Sequence, residues 1–173
     1  MRKIFYLSLL LLLCGYTLQA ADVVVTMNMV SADGVGKEIG KITASDTKYG
    51  LLLKPELTGL PPGQHGFHVH ENANCAPAEK EKKMTAAQSA GGHLDPAKTT
   101  KHEGPVGEGH TGDLPPLFAD ADGKASLPVL APRLKTTDLA GHALMIHAGG
   151  DNYSDQPQPL GGGGARIACG VVK

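Results

Sequence analysis

Residues 72 to 116 form a run of about 45 residues with no sustained hydrophobic period, set between segments that alternate like strands. A connection of that length inside a small domain is either functional or disordered. Ordering it costs conformational entropy at every residue, so any fold that contains it must supply something to hold it. Aromatic burial is a poor candidate, since the chain has no Trp, 3 Phe and 4 Tyr. With 23 Gly and 12 Pro in 173 residues, it is too rich in turn formers for a helical bundle and too poor for a low-complexity chain. A hydrophobic fraction of 41% excludes a disordered tail. A net charge of −1 excludes a general field that would draw nucleic acid or a membrane surface.

Strand signals surround the run. Segments 22–31, 37–45, 49–57, 64–71, 117–121, 124–131, 141–148 and 165–172 are short, apolar or alternating, and bounded by Gly, Pro and Asp. Gly40 marks a candidate bulge, and Asp122-Gly123 predicts a hairpin between two of the segments. No segment carries a convincing amphipathic-helix pattern. The predicted fold is all-β: an eight-stranded Greek-key β-sandwich or flattened barrel with two long functional loops, 72–116 and 149–164.

The first twenty residues read as a secretory address. Arg2 and Lys3 precede an apolar run from Ile4 to Leu13, and Ala20 and Ala21 offer a small-residue cleavage site. The run is too short and wrongly flanked for a membrane span. A lipoprotein reading through Cys14 fails, because Leu13 stands where a small residue belongs. The expected organisation is a signal peptide, 1–20, then one domain, 22–173, with no membrane or nucleic-acid partner. Without the signal, 14 basic residues face 17 acidic ones, and Cys75 and Cys169 are the remaining cysteines. Two cysteines in an exported chain read as one disulfide.

All 8 histidines fall between His65 and His147. In a strand, His68 and His70 point to the same face and can reach one ion. Imidazole suits copper and zinc. His93, His102, His110 and Asp113 lie in the long loop, and three imidazoles with a carboxylate make the closed tetrahedral set of a structural zinc. Metal binding there would offset the entropy of the loop.

Several motifs together resemble the copper,zinc superoxide dismutases, and the bacterial periplasmic branch in particular. They are His65-Gly66-Phe67-His68-Val69-His70, Gly91-Gly92-His93-Leu94-Asp95-Pro96, Gly109-His110-Thr111-Gly112-Asp113, His147, and Gly163-Gly164-Ala165-Arg166-Ile167-Ala168-Cys169-Gly170-Val171. The resemblance covers essentially the whole chain after the signal. It implies one copper held by His68, His70, His93 and His147, and one zinc held by His93, His102, His110 and Asp113. His93 would bridge the two as imidazolate. Asp151 would link a copper histidine, His68, to a zinc histidine, His102. Cys75–Cys169 matches the family disulfide, and His65 would pack beneath the site. His142, five residues from His147, reads as a surface histidine.

The implied activity is dismutation of superoxide to O2 and hydrogen peroxide as copper alternates between its two oxidation states. His93 would take up a proton for the departing peroxide. Arg166 would attract and orient the anion. The family is itself a known case of electrostatic steering, and Lys80, Lys82 and Lys83 are candidates for the outer field, with Glu79 and Glu81 set against them. The implied location is the periplasm, where the enzyme would meet external superoxide, as a monomer or a homodimer. Two rival classes are weaker. A copper-delivery module does not need the complete ligand set or Arg166. A zinc hydrolase needs an open metal position and a nearby base, and this zinc set is closed.

Overall fold

The computed structural model describes residues 21–173, so the predicted signal peptide, 1–20, lies outside the described residues. Eleven strands follow in chain order: β1 (Val23–Ser31), β2 (Gly34–Thr47), β3 (Gly50–Leu57), β4 (Gly63–His65), β5 (Phe67–His70), β6 (Ala78–Lys80), β7 (Lys83–Thr85), β8 (Leu117–Ala119), β9 (Val129–Ala131), β10 (Ala143–His147) and β11 (Arg166–Val171). Only three short 3₁₀ turns accompany them, and no helix among the described residues is long and apolar enough to cross a membrane.

Seven strands form one curled antiparallel sheet in the order β5-β10-β11-β1-β2-β3-β9. Its two sides are joined. β4 runs on into β5 across Gly66 and pairs with β8, and Ala125, just after β8, bridges back to Leu57 of β3. These links curl the sheet into the flattened barrel the pattern predicts. In β3 the alternation is clean: Leu51, Leu53, Pro55 and Leu57 are buried. The three leucines pack with Ile42, Phe67, Leu117, Leu144 and Ile146 in the main core. The predicted bulge is present. Met27 faces Gly40 and Asn28 faces Glu38, so Ile39 is the extra residue.

The hairpin expected at Asp122-Gly123 does not form. The turn is there, with Gly123 at φ +75° and its N–H on the Asp120 carbonyl, but the flanking strands take other partners. β8 pairs with β4 and β9 with β3. A local turn signal is outweighed here by burial of the two strands on opposite sides of the barrel. Inside the long loop, β6 and β7 make a small hairpin that the sequence pattern does not announce. Its turn residues, Glu81 and Lys82, both have positive φ.

β5 and β10 are buried on both faces. One face of β10 enters the main core, while Ala143 and Met145 enter a second cluster with Cys75, Cys169, Ala87 and Ala90. The Cys75–Cys169 disulfide anchors that cluster, tying the start of the long loop to β11 across a separation of 94 residues. Cys75→Ser is expected to lower the unfolding free energy of the metal-free protein by about 2–5 kcal/mol, measured by denaturant titration.

Candidate metal centre

β5 is an edge strand of the main sheet, and the long loop covers that edge. Val69 N–H donates to the Gly112 carbonyl, and Leu94 N–H donates to the Val69 carbonyl. These bonds lay the segments bearing His93 and Asp113 alongside the segment bearing His68 and His70, giving bridges His68↔Asp113 and His70↔His93. His147 ends β10, the next strand of the sheet. Residues spread over 80 positions of sequence thereby converge.

Two four-residue groups result. His68, His70, His93 and His147 form one, and His93, His102, His110 and Asp113 form the other, each with its ligand atoms within 4.8 Å of one another. His93 belongs to both. All seven residues are buried.

Hydrogen bonding shows which nitrogen each ring turns inward. His68 Nε2 donates to Asp151 Oδ2 at 2.8 Å, His70 Nδ1 to the Gly91 carbonyl at 3.0 Å, and His147 Nδ1 to the Gly164 carbonyl at 3.2 Å. His102 Nε2 donates to Asp151 Oδ1 at 2.8 Å. The opposite nitrogens are left as lone pairs. Among the described residues, the buried side-chain polar atoms without a hydrogen-bond partner are Ser45 Oγ and six imidazole nitrogens: His68 Nδ1, His70 Nε2, His93 Nε2, His102 Nδ1, His110 Nδ1 and His147 Nε2. A buried unsatisfied polar atom costs about 1–3 kcal/mol. Six clustered in one place are the mark of a site completed by cations.

The group of His93, His102, His110 and Asp113 shows the fit most directly. His93, His102 and His110 each bring Nδ1 to 2.9, 3.0 and 3.4 Å from Asp113 Oδ1. The His102 and His110 contacts lack hydrogen-bond geometry in spite of their closeness. A tetrahedral ion with bonds of about 2.0 Å places its ligand atoms roughly 3.3 Å apart, so the spacing is that of a coordination shell. A neutral His102, with its proton on Nε2 facing Asp151, would otherwise turn a lone pair toward a carboxylate.

Electrostatics separate the two sides. Burial, reinforced by the neighbouring His93, holds His68 and His70 well below the usual histidine range. Burial also lowers His93 and takes His147 down to about 4. His68, His70 and His147 are neutral at pH 7 and need lose no proton to bind a metal, whereas His93, to serve both groups, has to give up its Nδ1 proton as well. Burial opposes charge on His102 too, but its hydrogen bond to Asp151 and the close Asp113 carboxylate win and raise it to about 9. Neighbouring imidazoles, His102 with His93 at Asp113 and His102 with His68 at Asp151, overcome burial and hold both carboxyls far below the ordinary range.

The profile of the Copper/zinc superoxide dismutase (SODC) family matches residues 38–172. The chain belongs to this family. It is 56% identical over 172 residues to "Superoxide dismutase [Cu-Zn]" of Escherichia coli K12, covering 99% of each chain. Among solved structures, it is similar to the Cu/Zn superoxide dismutase of Brucella abortus, with TM-score 0.87, 52% identity, and coverage of 88% of this chain and 100% of that one. It is also similar to the monomeric copper, zinc enzyme of Salmonella enterica, with TM-score 0.80, 58% identity and the same coverage. Copper and zinc are the metals of the family, and the donor set suits them.

The other residues singled out in the sequence lie around these two groups. Arg166 opens β11 beside His147, with an irregular register between them. Its Nη1 donates to the Ala87 carbonyl at 2.7 Å and its Nη2 to the Gly91 carbonyl at 2.6 Å, the acceptor it shares with His70. Burial lowers its pKa, but a guanidinium stays charged. His65 is held between the Pro61 and His147 carbonyls, at 2.7 and 2.8 Å, and so braces a residue of the site from beneath. His142 is half-buried and donates from Nδ1 to the Glu71 carbonyl. Lys80, Lys82 and Lys83 are exposed on and beside the β6–β7 hairpin, with Glu79 and Glu81 among them.

Two contributors escape sequence reading. Asp155 accepts the His102 N–H at 3.0 Å and the Leu160 N–H at 3.0 Å. Gly161, at φ +71°, leaves the room that Asp151 and His102 use, for a Cβ there would stand 2.7 Å from His102 Nε2 and closer still to the carboxylate. Neither lies at a metal-ligand spacing, so only the folded loop shows their roles. Asp151→Ala is expected to weaken zinc binding by about 10–100-fold, measured by competition with a chelating dye.

Proposed function

We propose that this protein dismutates superoxide to O2 and hydrogen peroxide in the periplasm. The observation that carries this reading is the set of six unpartnered buried imidazole nitrogens, grouped so that His93 serves both groups. Copper would be held by His68, His70, His93 and His147, and zinc by His93, His102, His110 and Asp113. Bound there, copper supplies reversible one-electron chemistry, and zinc supplies a fixed charge that does not change oxidation state.

The chain's own groups do the rest. Arg166 presents a permanent cation beside His70 and His147, and both feel its charge. With two N–H groups bound to the Ala87 and Gly91 carbonyls, its plane is fixed and further N–H groups remain to orient a small anion. The chain carries a net negative charge, so attraction has to be local. The alternation of Glu79 and Glu81 with Lys80, Lys82 and Lys83 weakens the outer field and leaves Arg166 as the main steering charge. His93 holds Nδ1 toward Asp113 and leaves Nε2 on the copper side. That Nε2 is where a proton can be kept for the departing peroxide.

Residues 1–20 serve as a signal peptide cleaved near Ala20 or Ala21, and residues 22–173 remain as one domain. The basic start and apolar run support this, as does the disulfide, which suits an oxidising compartment.

Purified protein is expected to contain one copper and one zinc per chain and to lose superoxide removal when copper is chelated. Zinc alone, with no activity after copper loading, would sink the proposal. Arg166→Leu is expected to lower kcat/KM at least tenfold and to flatten its dependence on ionic strength, measured by pulse radiolysis or stopped flow over a range of salt.

A further inference from the structure

His102 and His110 sit in a segment with neither strand nor helix, residues 101–113. Its internal backbone–backbone bonds are the His110 N–H on the Lys101 carbonyl at 2.8 Å and the Asp113 N–H on the His110 carbonyl at 3.3 Å. Among the described residues, the carbonyls of Gly104, Pro105 and Gly109 receive no backbone N–H. They all receive bonds from one side chain, Arg133. Its Nε donates to Pro105 at 3.1 Å, Nη1 to Gly109 at 3.0 Å, and Nη2 to Gly104 at 3.1 Å and to His110 at 2.5 Å.

The guanidinium thus commits four of its five N–H groups to backbone carbonyls on both arms of one turn. One arm begins two residues after His102, and the other contains His110 itself. We propose that Arg133 is a positioning residue for the zinc side of the metal centre, setting the separation of His102 and His110 through the backbone between them. This rests on the reading of those histidines as zinc ligands.

Arg133 touches no ligand atom. It stands two residues beyond β9, which is registered against β3 through Leu51↔Ala131. The rigidity of the sheet is thereby passed to a loop that has no ladder of its own. The other polarity of the same backbone is met by anions. Asp113 Oδ2 accepts the Glu103 and Gly104 N–H groups, and Asp155 accepts the His102 N–H. Carbonyls drawn to a cation and N–H groups drawn to carboxylates fix the turn from both sides. On the copper side, His68 and His70 lie on β5 and His147 on β10, and His93 is bridged directly to β5 at His70. A lysine would keep the charge but lose the planar fork that reaches four carbonyls together.

The test is metal affinity in metal-free full-length protein, with zinc and copper titrated separately against competing chelators. Arg133→Gln is expected to weaken zinc by about 10–100-fold, the usual effect of removing an outer support, while copper affinity of the zinc-free protein stays within about threefold. Arg133→Lys is expected to fall between the two. The visible bands of cobalt(II) loaded in place of zinc are expected to shift in both variants. Zinc affinity unchanged in Arg133→Gln overturns the proposal. So does a parallel loss of zinc and copper affinity with a lowered apo-protein Tm, since that marks general destabilisation. If Arg133→Gln does not fold, Arg133→Lys decides by the same readings. Wild-type protein that takes up no zinc overturns the ligand assignment along with the clamp, whereas normal zinc uptake with an indifferent variant overturns the clamp alone.

Discussion

A single carboxylate holds the functional half of this molecule together. Asp151 gives one oxygen to His68 and the other to His102, both at 2.8 Å. His68 belongs to the sheet, His102 to the long loop, and Asp151 to the loop that follows β10. Three regions of the chain are joined at one buried group. Each bond also fixes a tautomer, so that the lone pairs of the two rings face into the two metal groups. The Gly161 backbone closes over the carboxylate without a side chain, and Asp155 secures the same loop to the His102 amide. The orientation of the ligands is therefore decided one layer outside them.

Much of the structure beyond the core is ordered by charge and covalent closure. Of the four aromatic residues after the signal, Phe67 lies in the core, while Tyr49 and Phe118 are largely exposed. Burying one such ring contributes about 1.5–3 kcal/mol. A disulfide contributes on a similar scale, and binding of a structural zinc reaches roughly 10 kcal/mol or more in small domains. Those magnitudes explain how a loop of about 45 residues with few apolar contacts can be fixed at all.

Period-two patterns made the strands legible, because an edge or face strand shows its burial in alternation, as β3 does. His68-Val69-His70 was readable for the same reason, since its geometry is local. The long loop was readable as a candidate zinc set by residue type, but the sharing of His93 with the copper pair only as a resemblance. Its histidines meet through register with β5, and that pairing leaves no mark in the loop's own pattern. Arg133 and Asp155 were not legible, because they act on backbone carbonyls and N–H groups, which carry no sequence signature, and Gly161 was not, because its role is the space it leaves for Asp151 and His102. Asp122-Gly123 misled for the opposite reason. A turn dipeptide reports local conformation and says nothing about which strands its flanks will join.

The sheet places β1 beside β11, so the first and last strands of the domain are neighbours at its centre. Until the final residues are available, β1 has only β2 to pair with, and β10 lacks the strand that joins it to the rest. Cys169, near the end, is likewise the partner of Cys75. The β1–β2–β3 meander can pair as the chain appears, but the sheet cannot be completed without β11. Folding must wait for that strand and then close a long-range contact, which makes it slow in the manner of topologies with distant pairings. A chain that stays open until its last strand arrives is well suited to be threaded through a pore before it folds.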